Sequence, residues 1–186
     1  CLTKLNNGQV GLLYESFPEE GPKTIKFKTF TVDYIKEGDK KQNPTSYLNI
    51  PLIDLDDETH RQVIVDKEKD QYLGHPTTVL LDDNKTILCV YPKGHGGGEI
   101  VYKRSKDGGI TWSDRLPKPE NWKTSKEVPT IYPVEGKYGN DRLIMFSGLY
   151  PTRMAVSENK GKTWSGLKQI GDWGGIVVMS DLIPLK

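Results

Sequence analysis

Short runs of alternating apolar and polar residues recur along the chain, and turn residues separate them. Between residues 26 and 34, Phe27 and Thr29 fall on one face of an extended strand, whereas Phe30 and Val32 fall on the other. A period of two residues predicts β-strands, and no segment keeps a helical period over three turns. The pattern therefore predicts an all-β protein. The predicted strands span residues 9–15, 24–35, 62–66, 76–81, 86–91, 99–105, 129–134, 142–147, 153–157 and 176–179.

An internal repeat is the most specific feature of the sequence. Residues 105–112 read Ser-Lys-Asp-Gly-Gly-Ile-Thr-Trp, and residues 157–164 read Ser-Glu-Asn-Lys-Gly-Lys-Thr-Trp. In each octet the Asp or Asn can bond backbone amides of a tight turn, the glycine allows a positive φ, and the tryptophan can pack under the hairpin. A repeat of about fifty residues with four short strands is typical of one blade of a β-propeller.

These octets resemble the Asp-boxes of the BNR/sialidase (neuraminidase) superfamily. The resemblance implies a β-propeller of sialidase type, a six-bladed family of which this chain would contain about three blades. The first full blade would span residues 76–117 and the second residues 127–170, with a third beginning near residue 174. Asp-boxes lie on hairpins away from the active site, so the two octets are expected to be structural and not catalytic.

The family pieces stand in an unusual order. Residues 1–35 resemble the end of a sialidase propeller, because they carry Cys-Leu, a turn and then Gly-Leu-Leu-Tyr-Glu. Residues 51–186 resemble the beginning of such a propeller, and the polar residues 36–50 are predicted to connect the two. A junction between tandem propellers and a permuted ring both explain this order. Half a ring would expose strand edges, so we expect a second copy or the remainder of a longer chain to complete it.

Composition and charge limit the kinds of partner and site that the sequence predicts. The chain has 26 Lys and Arg against 25 Asp and Glu, a net charge of +1, which gives no electrostatic reason to expect nucleic acid. No apolar run reaches the roughly 20 residues of a membrane span. Two cysteines form no disulfide framework and have no metal-ligand spacing. The resemblance implies a secreted or periplasmic protein.

The residues that sialidases use for catalysis match this chain poorly. The tyrosine nucleophile of the family would fall two positions ahead of Cys1. Gly74-His75-Pro76 stands where the family has Arg-Ile-Pro, so the first of its three carboxylate-binding arginines is replaced. Glu15 matches the glutamate that supports that arginine. It is therefore a candidate substrate contact whose usual partner is missing from its own blade.

Other residues of the second segment are candidates for acid–base catalysis and substrate binding. His95 lies in a glycine-rich loop. Both His75 and His95 could transfer protons near neutral pH, although both could be hydrogen-bonded loop residues. Glu127 is a candidate acid/base, with a surface salt bridge as its alternative. The candidate substrate contacts are Lys93, Arg153 and Trp173; a surface salt bridge is also the alternative for Arg153, and burial between blades for Trp173.

Together these features predict a sialidase-like glycoside hydrolase that acts on terminal acidic sugars of glycans. It would use general acid–base chemistry and no metal ion or organic cofactor. A propeller that binds glycans without cleaving them, and a propeller that binds proteins, are the alternatives.

Overall fold

The chain forms three antiparallel β-sheets with little helix, which confirms the all-β class. A computed structural model describes residues 2–5, 8–16, 24–37, 55–95, 97–135, 141–172 and 174–182. Within these ranges there is one α-helix and there are two short 3₁₀ helices, Thr59–Arg61 and Glu120–Thr124. None of the helices in the described ranges has the length and hydropathy to cross a bilayer.

The first sheet combines strands from two distant parts of the sequence. Its four strands, in spatial order, are β1 (Leu2–Lys4), β2 (Gln9–Ser16), β3 (Thr24–Thr31) and β4 (Val63–Lys67). The fourth strand therefore lies within the predicted second segment, residues 51–186. The connection predicted over residues 36–50 falls almost entirely outside the described residues, so the domain boundaries stay a prediction.

The strand predicted over residues 24–35 is too long. β3 ends at Thr31, and the chain turns into the α-helix α1 (Val32–Glu37). The Thr31 hydroxyl accepts a hydrogen bond from the backbone N–H of Tyr34 at 3.0 Å, which is the bond of a helix N-cap. Asp33 adds a negative charge in the first helical turn. Local capping therefore outweighs the alternating pattern after Thr31.

The second and third sheets follow one another along the chain. The second sheet contains β5 (Thr77–Leu80), β6 (Ile87–Pro92) and β7 (Ile100–Ser105) in that order. Residues 113–116 run beside β7, because Ser113 and Leu116 donate backbone hydrogen bonds to Arg104 and Tyr102. The third sheet contains β8 (Thr130–Glu135), β9 (Asp141–Ser147), β10 (Arg153–Ser157) and β11 (Lys168–Gln169).

The second sheet lies between the other two and is buried on both faces. Every residue of β6 is buried, and its side chains alternate between two apolar cores. Ile87 and Cys89 pack toward the first sheet, whereas Leu88 and Val90 pack toward the third. A strand buried on both faces reads as a continuous apolar run. Burial also raises the pKa of the Cys89 thiol, which stays protonated as a small apolar side chain.

Both octets form the same network of hydrogen bonds around a serine at the end of a strand. The Ser105 hydroxyl bonds the Asp107 carboxylate at 2.8 Å and accepts the backbone N–H of Gly109 at 2.8 Å. The same carboxylate accepts the backbone N–H of Thr111 at 2.9 Å and its hydroxyl at 2.5 Å. The indole N–H of Trp112 donates to the Gly109 carbonyl at 3.0 Å. The octet is thus a closed turn, as predicted.

The second octet reproduces this network with an amide in place of the carboxylate. Ser157 bonds Asn159 at 3.0 Å and accepts the backbone N–H of Gly161 at 2.9 Å. The Asn159 carbonyl accepts the backbone N–H of Thr163 at 2.9 Å, while its NH₂ donates to the Thr163 hydroxyl at 2.8 Å. The threonine hydroxyl reverses its role, because an amide has an NH₂ group that donates, whereas an ionised carboxylate only accepts.

Replacing Asp107 will test the electrostatic part of this network. We expect Asp107→Ala to lower the free energy of unfolding by about 1–2 kcal/mol, because the Ser105 hydroxyl and the Thr111 N–H and hydroxyl lose their hydrogen-bond partner. Asp107→Asn copies the second octet and should cost less than about 1 kcal/mol. Urea unfolding at pH 7 measures both, and an equal loss for the two variants would contradict the expectation.

The same pair of variants has a pH signature. Burial alone would raise the pKa of Asp107, but hydrogen bonds from Thr111 and Ser105 outweigh it and hold the pKa below its ordinary value. The carboxylate therefore stabilises the fold above the unfolded pKa of about 3.9, and this contribution is lost as pH falls through the lower folded-state pKa. The stability difference between the wild type and Asp107→Asn should shrink in that acidic range.

The strand predicted over residues 176–179 does not form. The Ile176 carbonyl accepts the backbone N–H of Leu149, and the Met179 carbonyl accepts the Tyr132 hydroxyl at 2.6 Å. The bond to Tyr132 places Met179 beside β8, and the bond to Leu149 places Ile176 beside the loop that follows β9. The segment makes no ladder with a neighbouring strand in the described part of the chain, so it stays irregular.

Candidate functional site

The loops that follow β4, β6 and β9, together with the segment that precedes β8, meet at one edge of the three sheets. We call this edge the loop edge; it comprises residues 68–76, 93–95, 97–99, 118–129 and 148–152. The backbone N–H of Gly98 donates to the Ser125 carbonyl at 3.2 Å, and the Thr77 hydroxyl donates to the Pro129 carbonyl at 3.0 Å. The octets follow β7 and β10 and therefore lie at the opposite edge.

The structure brings the two predicted histidines together at the loop edge. Nε2 of His75 and Nδ1 of His95 are 3.1 Å apart, and the ring centroids are 4.7 Å apart. One nitrogen donates and the other accepts, so the two rings share one hydrogen bond. The His95 side chain is exposed and that of His75 is half-buried. We call these two side chains the imidazole pair.

The Tyr72 ring packs beside both rings of the imidazole pair. It lies edge-on to His95 at a centroid distance of 5.6 Å and lies 6.4 Å from His75. A Cβ on Gly74 would overlap the Tyr72 ring, so only glycine permits this close packing. His75 itself has a φ of +50°, an uncommon conformation that aims its ring back toward Tyr72 and His95. Tyr72 was not among the predicted site residues, although its position two residues before Gly74-His75-Pro76 was a usable signal.

The predicted substrate contact Lys93 belongs to a charge network. Its ammonium group lies 2.9 Å from the Glu68 carboxylate, which also accepts from Arg115 at 2.6 Å. Hydrogen bonds from Lys93 and then Arg115 hold the pKa of Glu68 below its ordinary value. Arg115 also bonds the buried Asp66 at 2.7 Å. Lys93 therefore helps to join the first sheet to the second at the loop edge.

The network continues into the core through Tyr91. Its hydroxyl donates to the Asp66 carboxylate, and burial raises the pKa of Tyr91, so the phenol remains a donor. Arg115 compensates the Asp66 charge, and Lys103 lies 3.8 Å from it. A charge this deeply placed requires such partners. Distances in sequence of 47 and 49 residues separate Arg115 from its two acidic partners, so no local motif indicated this network.

The predicted anion contact Arg153 is bound to the protein itself. Its guanidinium donates to the Thr124 hydroxyl at 2.8 Å and to the Thr124 carbonyl at 2.6 Å. Burial lowers the pKa of Arg153. Two parallel donors on one residue fix the end of the 3₁₀ helix Glu120–Thr124 against β10. The arrangement makes Arg153 a support for the loop edge.

The remaining predicted site residues are less informative. The Glu127 carboxylate accepts the backbone N–H of Val128 at 3.3 Å, and its Cβ packs against Gly148 at the loop edge. Trp173 and the side chain of Glu15 lie outside the described residues. The structure therefore joins His75 and His95 directly and places Lys93, Glu127 and Arg153 along the same edge.

Comparisons with known proteins extend the description of the fold. No family model and no curated protein matches the sequence. A crystal structure of a protein of unknown function from Dyadobacter fermentans is similar, with a TM-score of 0.56 and 16% identity. The match covers 88% of this chain and 52% of that protein, so the chain spans about half its length. At this identity the likeness is one of fold.

A second structure is similar along most of both chains. It is a fucose lectin from Kordia zhangzhouensis in complex with methyl-fucoside, with a TM-score of 0.49 and 9% identity. The match covers 92% of this chain and 98% of the lectin.

Proposed function

We propose that the three sheets are successive blades of a β-propeller of the Asp-box, sialidase-like type. Three observations support this. Each sheet is an antiparallel meander, and the first strands β1, β5 and β8 are neighbours in that order. The two octets have the same pattern of internal hydrogen bonds. Each octet also packs against the sheet before it, because Gly109 contacts Phe27 and Gly161 contacts Leu88.

The last described residues support a further blade in the same ring. Residues 178–180 line one groove of about 680 Å³ together with residues from β1, β5 and β8. A fourth inner strand around a common axis would line the groove in this way. Completion of the ring by a longer chain or by a second copy remains our proposal, as does a secreted or periplasmic location.

We infer that the loop edge binds a carbohydrate at Tyr72 and the imidazole pair. The observation that carries this is the convergence of His75 and His95, 3.1 Å apart, beside an aromatic ring at an accessible edge. Sugars are recognised by aromatic faces that cover their C–H groups and by polar groups that bond their hydroxyls. Imidazole supplies both a donor and an acceptor, and a protonated imidazole would also attract the carboxylate of an acidic sugar.

Binding is a better-supported function than hydrolysis. A sialidase-like reaction needs arginines that converge on the substrate carboxylate. The sequence contains five arginines, and each donates to a separate partner within the protein. Three arginines donate to carboxylates: Arg61 to Glu58, Arg115 to Asp66 and Glu68, and Arg142 to Glu158. The other two donate to backbone carbonyls, Arg104 to that of Lys160 and Arg153 to that of Thr124. Hydrolysis of a terminal acidic sugar is therefore our second candidate, with the imidazole pair as its acid–base group.

A glycan array followed by calorimetry will test the proposal. We expect the chain to bind glycans with terminal acidic sugars and His95→Ala to weaken that binding about tenfold, the effect of one or two lost hydrogen bonds. His60→Ala is the matched control, because His60 precedes β4 at the end away from the loop edge. A fluorogenic acidic glycoside added to the same samples separates hydrolysis from binding. Absence of sugar binding by the folded chain would refute the proposal and favour a protein-binding propeller.

A further inference from the structure

The imidazole pair has the geometry of two ligands of one metal ion. Two nitrogens that bind a common ion at about 2.0–2.1 Å and lie 3.1 Å apart subtend an angle of about 100° at the ion. This angle lies between the 90° of neighbouring ligands in a square or octahedral site and the 109° of a tetrahedral site. The distance between the two nitrogens is therefore the distance expected for two ligands of one ion.

The surroundings keep both rings in this position. Tyr72 packs against both imidazoles, and the close contact between its ring and Gly74 holds the loop between β4 and β5. In the loop after β6, the backbone N–H of Lys93 donates to the Glu99 carbonyl at 2.9 Å, and the backbone N–H of Gly98 donates to the Ser125 carbonyl. Ligands that are already held lose less conformational freedom when the ion binds. The Lys93 ammonium, which belongs to the same loop as His95, is paired with Glu68 at 2.9 Å and so repels an ion weakly.

We propose that His75 and His95 bind a divalent first-row transition-metal ion, through Nε2 of His75 and Nδ1 of His95. Imidazole is a preferred ligand of Zn²⁺, Cu²⁺ and Ni²⁺. In the described residues no group of three or more His, Cys, Asp or Glu side chains could hold an ion, so the imidazole pair supplies two ligands and water fills the other positions. Both nitrogens must present lone pairs, so the hydrogen between them moves through solvent to the other nitrogen of its ring.

A Zn²⁺ titration without sugar tests this proposal separately from carbohydrate binding. The experiment uses the full chain with Cys1→Ser, so that the Cys1 thiol does not compete for the ion. We expect one calorimetric site that is weakened at least tenfold by His75→Ala or His95→Ala. His60→Ala, which removes the third histidine, should leave the affinity unchanged.

Ring-nitrogen NMR shifts of the unsubstituted histidines provide the second readout, because they do not depend on a variant that folds. Coordination should move the ¹⁵N signals of His75 Nε2 and His95 Nδ1 and leave those of His60 in place. Equal affinities in all three variants, or shifts at other nitrogens, would overturn the proposal. Sugar binding measured in the presence of a chelator shows whether the carbohydrate site stands without the ion.

Discussion

Trp122→Ala should destabilise the protein by about 3–5 kcal/mol, the largest effect we expect from a single side chain. Trp122 is fully buried in the core between the second and third sheets. Its ring lies 5.7 Å from that of Tyr102 and 5.6 Å from that of Trp164, so its removal leaves a cavity that rigid strands on both sides cannot close. Urea unfolding followed by far-ultraviolet circular dichroism measures the change without relying on tryptophan fluorescence.

Ile110→Ala is the control for the loss of a large apolar side chain. Ile110 is 70% exposed, so its truncation should change the free energy of unfolding by no more than about 0.5 kcal/mol. A Trp122→Ala protein that unfolds at the urea midpoint of the wild type would contradict a shared core between the two sheets.

Gly109→Ala should cost about 2–4 kcal/mol, whereas the neighbouring Gly108→Ala should cost about 1–2 kcal/mol. Both glycines have a positive φ, +95° and +77°, so alanine is strained at either position. A Cβ at Gly108 meets nothing within 4 Å, but a Cβ at Gly109 would overlap the buried Phe27 ring. That ring packs against Trp112 at a centroid distance of 6.1 Å and cannot move away cheaply.

The difference between the two glycine variants isolates the contact between the octet and the first sheet. Thermal melts of both variants, recorded beside the wild type, give the comparison directly. Equal destabilisation would mean that only backbone strain matters, and that the octet does not fasten the second sheet to the first.

The strands were the most predictable part of the fold. The period of two residues is a local property, and the strands predicted over residues 86–91, 99–105 and 153–157 match β6, β7 and β10 within a residue or two. The segment at residues 176–179 has the same apolar character but pairs with none of the described strands, because a strand needs backbone partners as well as a pattern. The helix after Thr31 was missed because one capping hydroxyl redirected an alternating sequence.

The candidate site was predicted in part. His75 and His95 stood out as residue types suited to proton transfer, and a glycine-rich loop around His95 indicated an accessible position. Their distance of 3.1 Å and the contribution of Tyr72 depend on two loops from different sheet connections. Arg153 and Lys93 carry the charges that an anion site needs, but Thr124 and Glu68 already bind them. Sequence shows which groups are available and not which partners they have in the fold.

The sequence by itself determined the strand-rich class and the two closed octet turns, because both depend on interactions within a few residues. Only the tertiary structure decided that Val63–Lys67 completes the first sheet and that β6 is buried on both faces. It also decided that the imidazole pair converges at the loop edge. These features join residues far apart in the chain, and packing of the sheets selects among pairings that local patterns leave equivalent.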